Sequence, residues 1–129
     1  MKTTLMMLAL GGLLANPSHP ATRGGWATIT VENPPDHAVA GRPLHLEFTI
    51  RQHGVTPMKG LKPTIEMRAG GAVSRVSAAA TKKVGRYAAD LVFPREGTWS
   101  VVIHSGFHES RTTLAPLAVV ADGAVAPRN

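Results

Sequence analysis

Cysteine is absent from the 129 residues. That excludes a disulfide framework, a thiolate metal site, a lipobox and a cysteine nucleophile. Aromatic rings are scarce, with two tryptophans, one tyrosine and three phenylalanines. Most fall at core-phase positions, so the stacking platforms that hold nucleic acid are missing. Carboxylates are few, eight against fourteen lysines and arginines. They sit at turn or strand-exposed positions, which offers no cleft for paired acid and base. No Gly-x-Ser-x-Gly elbow occurs, and the pairs Gly24-Gly25 and Gly70-Gly71 lack the lysine and helix of a phosphate cradle. The chain reads as non-enzymatic, with no catalytic residues and no bound cofactor.

Long hydrophobic runs are also missing. Leu5 to Leu14 is apolar or glycine throughout, behind the positive start Met1-Lys2. At about 10 residues it matches a signal-peptide core and falls short of the roughly 20 a spanning helix needs. The expected organisation is a leader and spacer over 1–21, one domain over 22–121, and a disordered tail over 122–129. Such a protein is exported, periplasmic or secreted, and does not span the membrane once the leader is removed. With no disulfides, its core alone must hold it, which a sandwich of roughly 100 residues can do.

The formal net charge is +6. Its nine arginines and five lysines are scattered along the chain, with Lys82-Lys83 the only adjacent pair. No nucleic-acid partner is expected. The charge suits solubility and weak attraction to anionic envelope surfaces.

Period-two patterning dominates what is present. Tyr87, Ala89, Leu91 and Phe93 fall at every second position; after Pro94-Arg95-Glu96-Gly97, Trp99, Val101 and Ile103 resume the rhythm. This predicts a β-hairpin with its aromatics aimed at one core. Leu44 to Arg51 alternates without a fault, placing His45, Glu47, Thr49 and Arg51 outward. Further strands are expected over Trp26–Glu32, Thr64–Arg68, Val73–Ala80 and Leu114–Val120, with Pro116 marking an edge. Asn33-Pro34-Pro35-Asp36 ends the first, and His37 reads as part of that turn. The sum is all-β: a single immunoglobulin-like antiparallel β-sandwich of about seven strands.

The segment Gly-x-Tyr-x-x-x-Leu-x-Phe-Pro-x-x-Gly-x-Trp-x-Val-x-Ile, carried by Gly85, Tyr87, Phe93, Gly97 and Trp99, resembles the C-terminal half of YtkA-like domains. It is more distantly similar to FixH-type proteins. Leu44 to Leu61 adds a strand running into a Gly-x-x-Pro-x-x-Gly-Leu loop at Gly54, Pro57, Gly60 and Leu61. The resemblance covers roughly Trp26 to Ile103. It implies a small exported or membrane-anchored sandwich, with relatives near copper handling and respiratory oxidase assembly. The methionine-rich segment many relatives carry is absent, leaving Met58 and Met67 in that region.

Six histidines invite a metal reading, since imidazole suits copper and zinc and thioether suits Cu(I). His53 and Met58 share one loop. His104 and His108 converge only if the chain folds back at Ser105-Gly106-Phe107; on a continuous strand they would lie about 13 Å apart. His45 and His104 could meet only on neighbouring strands. Two readings follow. The first is an interaction or accessory module with an envelope protein as partner, Val55 to Pro63 being a candidate contact loop. The alternative is a periplasmic copper-binding protein with His53, Met58, His104 and His108 as ligands.

Overall fold

The computed structural model describes residues 26–123; the expected leader and spacer over 1–21 and most of the expected tail lie outside them. Two sheets face each other. The first is ordered β1 (Ala27–Val31), β3 (Leu44–Gln52), β8 (Arg86–Leu91), β7 (Ala79–Ala80), with β4 (Thr56–Pro57) also on β3. The second runs β2 (His37–Val39), β11 (Leu117–Val120), β9 (Gly97–His104), β5 (Thr64–Ala69), β6 (Ala72–Ser77), with β10 (Arg111–Thr113) also on β9. Taken in chain order, this is the A-B-E-D sheet against the G-F-C sheet of an immunoglobulin-like sandwich, with β6 as an added neighbour of strand C.

The long strands match the expected count. Eleven short segments arise because several strands break. The first splits at Asn33-Pro34-Pro35-Asp36, where two prolines remove ladder donors, and His37–Val39 then joins the second sheet. His37 is therefore in a strand, not a turn, and β2 pairs β11 in parallel, the one departure from the antiparallel expectation among the described residues. The last strand breaks at Leu114-Ala115-Pro116, and Val73–Ala80 divides at Ala78 as the chain changes sheet.

The expected hairpin is corrected. β8 pairs β3 and β7, whereas β9 pairs β5, β10 and β11, so Pro94–Glu96 belong to a connection that crosses between sheets. The in-phase aromatics still meet, because residues facing inward from opposed sheets share one core. Tyr87, Leu91, Phe93, Trp99, Val101 and Ile103 are all buried beside Leu46, Phe48, Ile50, Ile65 and Met67. Phe93 packs edge-on to Trp99, with centroids 5.4 Å apart, and Phe48 stacks on Tyr87 at 6.1 Å. Each such side chain contributes about 1.5–3 kcal/mol on burial. The Trp99 indole N–H donates to the Arg95 carbonyl at 3.0 Å, so its polar edge is satisfied inside.

Candidate functional site

Strand direction decides which loops meet. β3 ends at Gln52 beside the start of β1, β8 begins at the same level, and β9 ends at His104 beside the start of β5. Three connections therefore emerge at one pole: 52–63, 81–85 and 105–110. Trp26 joins them, since its carbonyl accepts from the His53 N–H at 2.7 Å and the Ala27 N–H donates to Ser110 Oγ at 3.0 Å.

Each connection is built by local chemistry. His53 and Gly54 both have positive φ, and the Val55 N–H donates to the Gln52 carbonyl at 2.9 Å. The two left-handed residues make a tight turn within a three-residue loop, 53–55, since Gln52 pairs Thr56 where β3 meets β4. In the 81–85 turn the Arg86 N–H donates to the Lys83 carbonyl and Thr81 Oγ1 accepts from the Lys83 N–H at 3.1 Å. Tyr87 anchors the remainder of the long loop, its hydroxyl donating to the Met58 carbonyl and accepting from the Leu61 N–H. In the third connection Ser105 Oγ accepts from the Phe107 N–H at 2.9 Å.

The lysines scattered in sequence are gathered here. Lys59, Lys62, Lys82 and Lys83, every lysine among the described residues, lie on these loops and are exposed. Arg51 and Arg111 flank them, and Glu109 is the one carboxylate on the three connections. Among the described residues none of these lysines has a carboxylate within 4 Å. Asp36, Asp90, Glu96 and Asp122 lie toward the opposite end. Large apolar side chains stand out among the lysines: Trp26 is 39% exposed, Val55 74% and Val84 60%. The sequence reading found the 55–63 loop but missed Trp26, Val84 and the clustering of charge.

All four expected metal ligands belong to this pole, in separate settings. The His53 ring sits edge-on to Trp26 with centroids 5.6 Å apart, and that of His108 lies against Phe107 at 4.4 Å. Met58 is half-buried and packs on the core. His104 faces Glu66, Nε2 to Oε1 3.6 Å. His45 and His104 do not pair, because β3 and β9 lie in opposite sheets and both histidines face outward. Among the described residues no three His, Asp or Glu side chains are grouped as an ion would require.

Two charged clusters occupy the outer sheet faces. On the first, His45 Nδ1 lies 2.9 Å from Asp90 Oδ1 and Nε2 lies 3.0 Å from Glu47 Oε2. The hydrogen bond to Asp90, then that to Glu47, raises the imidazole pKa above its ordinary value. Arg86 reaches Glu32 and Glu47 at 3.5 and 3.6 Å, and Thr49 donates to Glu32. On the second, Glu66 is covered (7% exposed), against the expectation that every carboxylate sits in the open. The Arg68 hydrogen bond holds it below the usual carboxylate range, with Arg75 and His104 adding to the effect and desolvation opposing it. Both are cross-strand ladders rather than clefts.

Fold and site together define a two-sheet sandwich presenting one basic, apolar-tipped loop pole. No family model and no curated protein matches the chain. Among solved structures it is similar to the CARDB domain of a Pyrococcus furiosus protein, solved in complex with di-metal ions. The identity is 12% over 76% of this chain and 90% of that one, with a TM-score of 0.45.

Proposed function

We propose that this is an exported, non-catalytic interaction module of the cell envelope, related to YtkA-like domains, that works through its loop pole. The observation carrying this reading is the segregation of charge. Four lysines from two separate loops surround exposed Trp26, Val55 and Val84 at one end, while most carboxylates lie elsewhere. Exposed apolar side chains rimmed by charge mark interaction surfaces. Two of the loops at this end, 52–63 and 105–110, correspond to the B–C and F–G loops that variable immunoglobulin domains use for recognition, while 81–85 joins D to E beside them; the support is an analogy of fold. An envelope partner should cross-link to probes at residues 55, 59 or 84 and not at Val73 or Val92, the exposed valines elsewhere. Equal labelling at both sets would refute it.

The second reading is copper binding through His53, Met58, His104 and His108. It is supported by their shared pole. Calorimetric titration with Cu(II), then with Cu(I) under reducing conditions, tests it. One equivalent bound below micromolar and lost in His53→Ala/His108→Ala would establish the site; heat no greater than that of isolated surface imidazoles would remove it.

A further inference from the structure

The loop pole bears on what kind of partner it meets. We propose that it docks on an anionic lipid bilayer, with Trp26, Val55 and Val84 entering the interfacial region and Lys59, Lys62, Lys82 and Lys83 lying over the headgroups. This rests on the reading of the pole as the interaction surface and names its partner.

Three features favour lipid over an acidic protein. The most open apolar residues stand as separate knobs on two turns, Val55 beside the His53-Gly54 turn and Val84 on the 81–85 turn, 74% and 60% exposed. Two turns sit side by side, since a Cβ added to Gly85 would lie 2.6 Å from Pro57 Cβ. The knobs therefore advance together, with Trp26, a residue suited to the membrane interface, beside the first.

The chemistry of the cations agrees. Pairing with protein carboxylates favours the planar fork of arginine. Here the loop tips carry lysines, whose flexible stems cover apolar surface while the ammonium reaches water or phosphate. Such residues near an anionic membrane act additively. The tip backbones are also internally bonded: the His53, Val55 and Arg86 N–H groups donate to Trp26, Gln52 and Lys83 carbonyls. Groups satisfied in this way lose little on approaching a medium poor in water.

The test uses protein recovered after export, so that wild type and variants share one N-terminus, and vesicles of phosphatidylethanolamine with 30% phosphatidylglycerol against neutral phosphatidylcholine vesicles at about 0.1 M salt. The wild type should prefer the anionic vesicles. Lys82→Ser/Lys83→Ser should weaken that binding about 25-fold, roughly fivefold for each basic residue at about 1 kcal/mol apiece. Val55→Ser/Val84→Ser should weaken it with every lysine kept. Trp26 emission should move to shorter wavelength on binding, while Trp99, fully buried, stays unchanged.

Equal binding to both vesicle types, or binding insensitive to both double variants, would overturn the proposal. If the protein ignores vesicles while site-specific cross-linking at residues 55 and 84 captures a partner that Lys82→Ser/Lys83→Ser releases, the lipid proposal fails and the interaction pole stands. If neither vesicles nor cross-linking distinguishes this pole from the rest of the surface, both fail.

Discussion

The Tyr87 hydroxyl donates to the Met58 carbonyl at 2.6 Å across 29 residues of sequence and accepts from the Leu61 N–H at 3.2 Å. One phenol on a core strand thereby holds both ends of the segment that carries Lys59. Tyr87→Phe keeps the ring against Phe48 and removes both bonds. It should cost about 1–3 kcal/mol, because two half-buried backbone groups lose a partner. Denaturant unfolding measures the loss, and the Leu61 amide should exchange faster with solvent. An unchanged Leu61 exchange rate would show that the loop is held by other contacts.

Gly85 is placed by two demands at once, a φ of +82° and the close approach of Pro57. Gly85→Ala should therefore cost about 2–4 kcal/mol, combining left-handed strain with overpacking. Gly60→Ala has similar φ, +77°, but open space around the new Cβ, and should cost about 1–2 kcal/mol. Equal midpoints in a urea titration of the two variants would show that Pro57 gives way freely.

His45 predicts a pH dependence of one sign. Its folded pKa is raised, so the stabilisation is fully present below the ordinary histidine value and is lost as pH rises through the raised one. The ring is 55% exposed, so the effect is screened and amounts to less than about 1 kcal/mol. Titration of the His45 ring proton by NMR should give a midpoint above 6.5. Asp90→Asn should lower it more than Glu47→Gln does, since the Asp90 bond is the larger cause.

Glu66 has the opposite sign. Its carboxylate is held low by Arg68, so its stabilisation is present above the ordinary carboxylate pKa and lost as pH falls through the lowered value. Arg68→Met should destabilise the domain near neutrality and converge with the wild type in strong acid. Parallel stability curves across that range would show that Arg68 acts through packing alone.

Much of the core was legible beforehand. The inward positions Leu46, Phe48 and Ile50 and those of Tyr87–Ile103 are buried, with Leu44 at the strand's start partly so, because alternation is a property of extended backbone itself. The turn between β3 and β4 is less visible, since His53-Gly54 lacks the Asn-Gly or Asp-Gly signal that marks many left-handed turns. The lysine cluster is implicit in the strand order. In a sandwich of antiparallel strands every second connection emerges at the same end, which places 52–63, 81–85 and 105–110 together from strand order alone.

What the sequence by itself determined is which side chains point inward, and hence an all-β sandwich with Trp99 and Tyr87 at its centre. Only the tertiary structure decided that β8 and β9 belong to opposite sheets, that His45 meets Asp90 while His104 meets Glu66, and that Trp26 joins Val55 and Val84 at the pole. The reason is physical. A period of two separates inside from outside within each strand, but it is the same for a paired strand and an opposed one. Neighbours are chosen by hydrogen-bonded pairing between distant segments, and that choice is settled only when both sheets close over the core.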